Sequence, residues 1–155
     1  MFLRLATLAL SLFVTPTLAL AQGYLCAEGG GNANKGDWTD EVFGWMVEKG
    51  NRGHIVIIGA LEVAADDTRG ALFKRLGAAS ASNIMVNEEN ADSQEVFDEI
   101  SRASVVWIKG GDQGRYVKWW KGTKAEQAIR AVFARGGVVG GTSAGCAVLG
   151  EWTYS

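Results

Sequence analysis

The sequence is nearly without histidine. Of 155 residues one is histidine, His54, one is proline, Pro16, and two are cysteines, Cys26 and Cys146. A lone histidine excludes a multi-histidine metal centre, and neither a metal nor a cofactor is expected. Two cysteines far apart in sequence permit one disulfide without establishing it, and burial as free thiols suits them equally. Basic charge is also short, with 15 Lys and Arg against 17 Asp and Glu and a formal net charge of −2. With no basic patch and no polybasic stripe, nucleic acid and an anionic membrane surface are excluded as partners.

What is present begins with residues 1–21. Arg4 supplies a positive start, Leu5 to Val14 is an apolar run, and Ala19-Leu20-Ala21 is a small-residue cleavage site. This is the pattern of a secretory signal peptide, too short and wrongly flanked for a spanning helix. Cleavage after Ala21 predicts a mature chain that begins at Gln22, carries a net charge of −3 and is exported to the periplasm or beyond. Residues 22–155 suit one globular domain, and no repeat, linker or low-complexity tract interrupts them.

Strands and helices alternate along that domain. Tyr24 to Ala27 reads as a first strand that runs into Glu28-Gly29-Gly30-Gly31-Asn32. Asp37 caps a helix carrying Val42, Phe43, Trp45, Met46 and Val47, which Gly50 closes. Ile55 to Ile58 is an uninterrupted β-branched run, the kind that belongs to a strand covered on both faces. Asp66 or Asp67 caps a second helix with Leu72, Phe73 and Leu76, and Ile84 to Val86 is a third strand. Asp92 with Glu95 forms a capping box before Val96, Phe97 and Ile100. Val105 to Ile108 is a fourth strand, followed by Gly110-Gly111-Asp112-Gln113 and a short helix from about residue 115 to 120, with Asp112 as its cap. Thr123 and Glu126 form a further capping box, and a helix with Ala125, Ala128, Ile129, Val132 and Phe133 leads to a fifth strand, Val138-Val139. Such βαβ units predict an α/β fold, a parallel sheet with helices on both faces. The three glycine clusters each follow a strand, so all three are expected at the carboxyl edge, where such sheets bind ligands. Six tryptophans are scattered through these elements and read as core or partly buried surface.

The last cluster carries the chemistry. Gly141-Thr142-Ser143-Ala144-Gly145 follows a short strand and precedes a helix, the context in which Gly-x-Ser-x-Gly is a nucleophile elbow. The flanking glycines let backbone approach closely, so the hydroxyl is held in a strained turn beside free amides that can stabilise an oxyanion. A glycine-rich loop without chemistry fits the five-residue pattern as well.

Taken together, Gly29-Gly30-Gly31, Gly110-Gly111-Asp112-Gln113 and Gly140-Gly141-Thr142-Ser143-Ala144-Gly145 resemble the cyanophycinase and dipeptidase E family of serine peptidases, peptidase family S51. The similarity runs on through Gly122-Thr123 and Gly136 to Val139. The resemblance implies a flavodoxin-like, class I glutamine amidotransferase-like fold and cleavage of aspartyl or β-aspartyl-arginine peptides, with a homodimer as the expected assembly. It implies Ser143 as nucleophile, the amides of Gly111 and Ala144 as oxyanion hole, and Gln113, Gly30 and Gly31 as substrate-binding groups. Gln113 as a helix-start residue bonding backbone stands beside that role.

One departure is serious. The family's histidine and its acidic partner follow the elbow, and here no histidine follows Ser143. His54 starts the second strand, at the amino end of the sheet, roughly 17 Å from the carboxyl end. It reads as a strand-edge residue. The expectation is an N-terminal part of a longer fold, inactive alone. Two other readings stay open, an α/β-hydrolase esterase and a non-catalytic amidotransferase-like binding protein.

Overall fold

The computed structural model describes residues 22–30, 38–61 and 68–154. The signal segment, Gly31 and the caps expected at Asp37, Asp66 or Asp67 lie outside them. Among the described residues five parallel strands form one sheet: β1 (Tyr24–Glu28), β2 (His54–Gly59), β3 (Ser80–Met85), β4 (Val105–Ile108) and β5 (Val138–Thr142), in the order β1-β5-β4-β2-β3. The helices are α1 (Trp38–Lys49), α2 (Thr68–Arg75), α3 (Gln94–Ser101), α4 (Gln113–Trp120), α5 (Lys124–Ala134) and α6 (Ala144–Ala147). The expected α/β architecture with helices on both faces is the one observed.

The strand sequences follow from this layering. Ile55 and Ile57 of β2 join Val105 and Trp107 of β4 and Val138 of β5 in one core, against Phe43, Met46 and Val47 of α1 and Phe73 of α2. Val56, Ile58, Val106, Ile108 and Val139 alternate into the other core, against Val96 and Ile100 of α3, Tyr116 and Trp120 of α4 and Ala125, Ala128 and Val132 of α5. Strands apolar on both sides are needed because both sides are covered, and each buried aliphatic side chain contributes about 1.5–3 kcal/mol. Trp107, fully buried, meets Phe43 edge-on at 5.0 Å and Phe73 at 6.3 Å. Trp120 is also buried, whereas Trp38 and Trp152 are exposed. Both cysteines are free thiols.

Three details depart from the sequence reading. β3 begins at Ser80, four residues before the apolar Ile84, because it is an edge strand paired only with β2, where Ser80 is exposed and Ser82 and Asn83 are half-exposed. The cap of α3 is Ser93, whose Oγ accepts from Val96 N at 3.2 Å, and not Asp92. Asp92 instead accepts from Lys124 N at 3.0 Å, satisfying the start of α5, 32 residues away. There the expected Thr123 box is not formed: Thr123 makes no side-chain cap bond, its N donates to Trp120 O at 3.1 Å, and Glu126 accepts from Gly122 N at 2.7 Å instead. A carboxylate one residue out of place in sequence was free to serve a neighbouring helix in space.

Candidate active site

The carboxyl edge gathers the glycine clusters around Ser143. Thr142 ends β5, α6 starts at Ala144, and Ser143 between them has φ 52° and ψ −118°. A non-glycine residue at positive φ costs about 1–3 kcal/mol, a strain the neighbours must hold in place. They do so by backbone. Ser143 N donates to Glu28 O at 3.1 Å, tying the elbow to the end of β1. A Cβ on Gly141 would run into the Gly145 carbonyl, and one on Gly145 would run into the Ile108 carbonyl. Only glycine lets the turn fold back onto itself and onto the end of β4.

The other two clusters close in from either side. A Cβ on Gly110 would stand 3.3 Å from Ser143 Cβ and 3.8 Å from its Oγ, and one on Gly30 would stand 3.8 Å from Ser143 Cβ. Bare backbone therefore borders the exposed Ser143 on both flanks. Ala144 is buried as the first residue of α6, where its amide precedes any intrahelical bond. Gly111 is the next residue after the one that abuts Ser143, and its φ of 159° is extended backbone. Asp112 caps α4 as expected, its Oδ1 accepting from Gly114 N at 2.9 Å and Arg115 N at 3.2 Å. Gln113 opens α4 and donates from Nε2 to Tyr154 O at 2.7 Å, a backbone partner 41 residues on.

Two residues at this edge went unnoticed in the sequence. The Tyr116 hydroxyl lies 2.9 Å from Lys109 O and 3.1 Å from Gly110 O, so a buried phenol props the loop that carries Gly110 and Gly111. Tyr116 stacks on Trp120, and burial pushes its pKa up. Glu28 is 6% exposed, and its Oε2 has no hydrogen-bond partner among the described residues. Below it, burial foremost, with Glu28 and then Cys146 adding charge, pushes the Cys26 thiol up to about 11. Position at a strand end or on the first turn of a helix was the available signal for both residues. His54 does not join the group, since it opens β2 at the far end of the sheet.

Comparison with known proteins decides what this edge belongs to. The sequence model of Peptidase family S51 matches residues 62–154, from before α2 through the elbow. The chain belongs to peptidase family S51. Two cyanophycinases, from Synechococcus elongatus and Thermosynechococcus vestitus, are each 32% identical to it over 82 residues, covering 52% of this chain and 26% of theirs. Two solved structures share the fold. A peptidase from an acI-B1 actinobacterium superposes with TM-score 0.69 at 22% identity, over 86% of this chain and 59% of that one. A peptidase E-type protein from Listeria monocytogenes EGD-e gives 0.57 at 17% identity, over 84% and 62%. The chain thus spans about a quarter of the length of these cyanophycinases and about three fifths of these structures. The family stands on the sequence model, and these superpositions show the fold.

Proposed function

We propose that this S51 chain is a serine-type peptidase, exported by its N-terminal segment, that acts on aspartyl or β-aspartyl-arginine peptide bonds through Ser143. The observation that carries the reading is the strained, exposed Ser143 flanked by the bare backbone of Gly30 and Gly110. A hydroxyl so placed can attack a carbonyl carbon, and amides at Gly111 and Ala144 would receive the oxygen as it becomes negative. Gln113, Gly30 and Gly31 would line the substrate. The cyanophycinase relatives favour an aspartyl-arginine substrate.

Attack also needs a base, which must come within about 3 Å of the hydroxyl. The sole histidine is at the other end of the sheet, so the 155-residue chain alone is expected to turn over neither aspartyl dipeptides nor cyanophycin usefully. Where a longer chain supplies a histidine after the elbow, hydrolysis is expected and Ser143→Ala abolishes it. Hydrolysis that survives Ser143→Ala overturns the assignment. For export, secreted material should begin at Gln22 on N-terminal sequencing, and material still beginning at Met1 refutes it.

A further inference from the structure

The chain's only imidazole is engaged at the amino end of the sheet. His54 opens β2, Ser80 opens β3, and the two are register partners. Ser80 Oγ lies 2.7 Å from His54 Nδ1. His54 Nε2 lies 3.3 Å from Glu99 Oε1 of α3. The same carboxylate oxygen accepts from Ser82 Oγ at 2.6 Å, and Arg102 pairs with Glu99 Oε2. The direction of the hydrogen bonds follows from their ends. An ionised carboxylate donates nothing, so Nε2 carries the proton and gives it to Glu99. Nδ1 is then the lone-pair nitrogen, and the Ser80 hydroxyl donates to it. Ser80 is exposed, on a cleft of about 330 Å³ lined by His54, Ser80, Glu99 and Arg102.

We propose that Ser80 is the base-activated serine among the described residues and an acyl-acceptor site for small activated esters, with His54 as general base and Glu99 orienting the ring. In that step the Ser80 oxygen bonds to the ester carbonyl carbon while its proton passes to His54 Nδ1. The bond from that carbon to the leaving oxygen breaks, the leaving group takes the proton from Nδ1, and Ser80 is left acylated beside a neutral imidazole. The cleft admits a small acyl group, and the Arg102 guanidinium at its rim favours one that develops or carries negative charge. The arrangement differs in kind from the elbow. It has a base and an orienting acid, and the elbow has strain and amides.

The test is acetylation of the whole chain with p-nitrophenyl acetate, followed by acid quench and peptide mapping by mass spectrometry. Acetyl is expected on Ser80, at a rate that falls on the order of 10²-fold in His54→Gln and by a smaller factor in Glu99→Gln. In the unaltered chain the rate should climb as His54 loses its proton and then level off. The charged groups facing that ring are Glu99 of α3 and Arg102, the residue that caps its end. Label on Ser143 or on lysines with Ser80 bare overturns the proposal, as does an unchanged Ser80 rate in a folded His54→Gln chain. Should that variant not fold, the unaltered chain decides, because a rate proportional to hydroxide from pH 5 to 9 shows no imidazole at work.

Discussion

The two ends of one sheet are built from different materials. At the carboxyl end, backbone does the work: Gly30, Gly110, Gly141 and Gly145 surround Ser143, and what they lack in side chains is the structural content. At the amino end, side chains from β2, β3 and α3 meet, and His54, Ser80, Ser82, Glu99 and Arg102 share one hydrogen-bonded group. Backbone sites tolerate no added atoms. Side-chain sites lose one bond at a time.

That contrast gives the largest expected effect. Gly145→Ala places a methyl against the Ile108 carbonyl, a fixed backbone atom, so the strand or α6 must shift. A cost of about 3 kcal/mol or more in urea unfolding, or failure to fold, is expected. Gly29→Ala, where a Cβ meets nothing within 4 Å, should stay within about 0.5 kcal/mol. Ser82→Ala at the other end should cost about 1 kcal/mol, since its Oγ donates to Glu99 at 2.6 Å and lies 3.3 Å from His54 Nε2. Equal losses at Gly145 and Gly29 would erase the distinction.

Next in size is the thiol beneath the elbow. With the Cys26 pKa raised from 9.0 to about 11, its thiolate at pH 8 is about a hundredfold scarcer than in an ordinary cysteine. Iodoacetamide at pH 8 should therefore modify the partly exposed Cys146 first and reach Cys26 only on unfolding. Peptide mapping over time checks the order, and simultaneous labelling of both refutes the buried environment assigned to Cys26.

The difference between the ends also explains what could be read in the sequence. Uninterrupted runs at Ile55 to Ile58 and Val105 to Ile108 announce strands covered on both faces, and glycines after strands announce the carboxyl edge. β3 is half hidden from such reading because Ser80 to Asn83 occupy an edge where polarity is tolerated. The Asp92 bond to α5 is tertiary and nothing local encodes it, whereas the Tyr116 prop under Gly110 spans six residues and its one signal was a place on the first turn of α4. The His54 group reaches Glu99, 45 residues away, so His54 was legible as a strand-edge residue while its partners were not. Gly30 and Gly110 were legible because a glycine cluster is itself a local signal.

A smaller effect is expected at Ser143 itself. Ser143→Gly removes the positive-φ strain, about 1–3 kcal/mol, and gives back about 0.4–1 kcal/mol because glycine frees the unfolded chain. A net gain of about 1 kcal/mol is expected in urea unfolding. A serine that is strained for the sake of its position should be worth less to stability than the glycine that replaces it. If Ser143→Gly destabilises the fold, the elbow is relaxed and its geometry owes nothing to function.

The smallest effect belongs to the amino end and to pH. Burial first, and then the Arg102 charge, lower the His54 pKa from its ordinary 6.5, so the folded chain prefers the neutral ring. Unfolded chain then binds the proton at higher pH than folded chain does. The stability that depends on the neutral ring is complete above about pH 6.5 and is lost as pH falls from there through the lower folded value. Carboxylates titrate below the same range, so the contribution is read as a difference between the unaltered chain and His54→Gln. The urea midpoint of the unaltered chain should fall more steeply between pH 7 and 5 than that of the variant, by a small margin because the ring is partly exposed. Parallel curves would mean that the ring is as solvated in the fold as outside it. A steeper fall in the variant would reverse the sign, placing the proton on His54 in the native state and removing the lone pair that Ser80 is held to use.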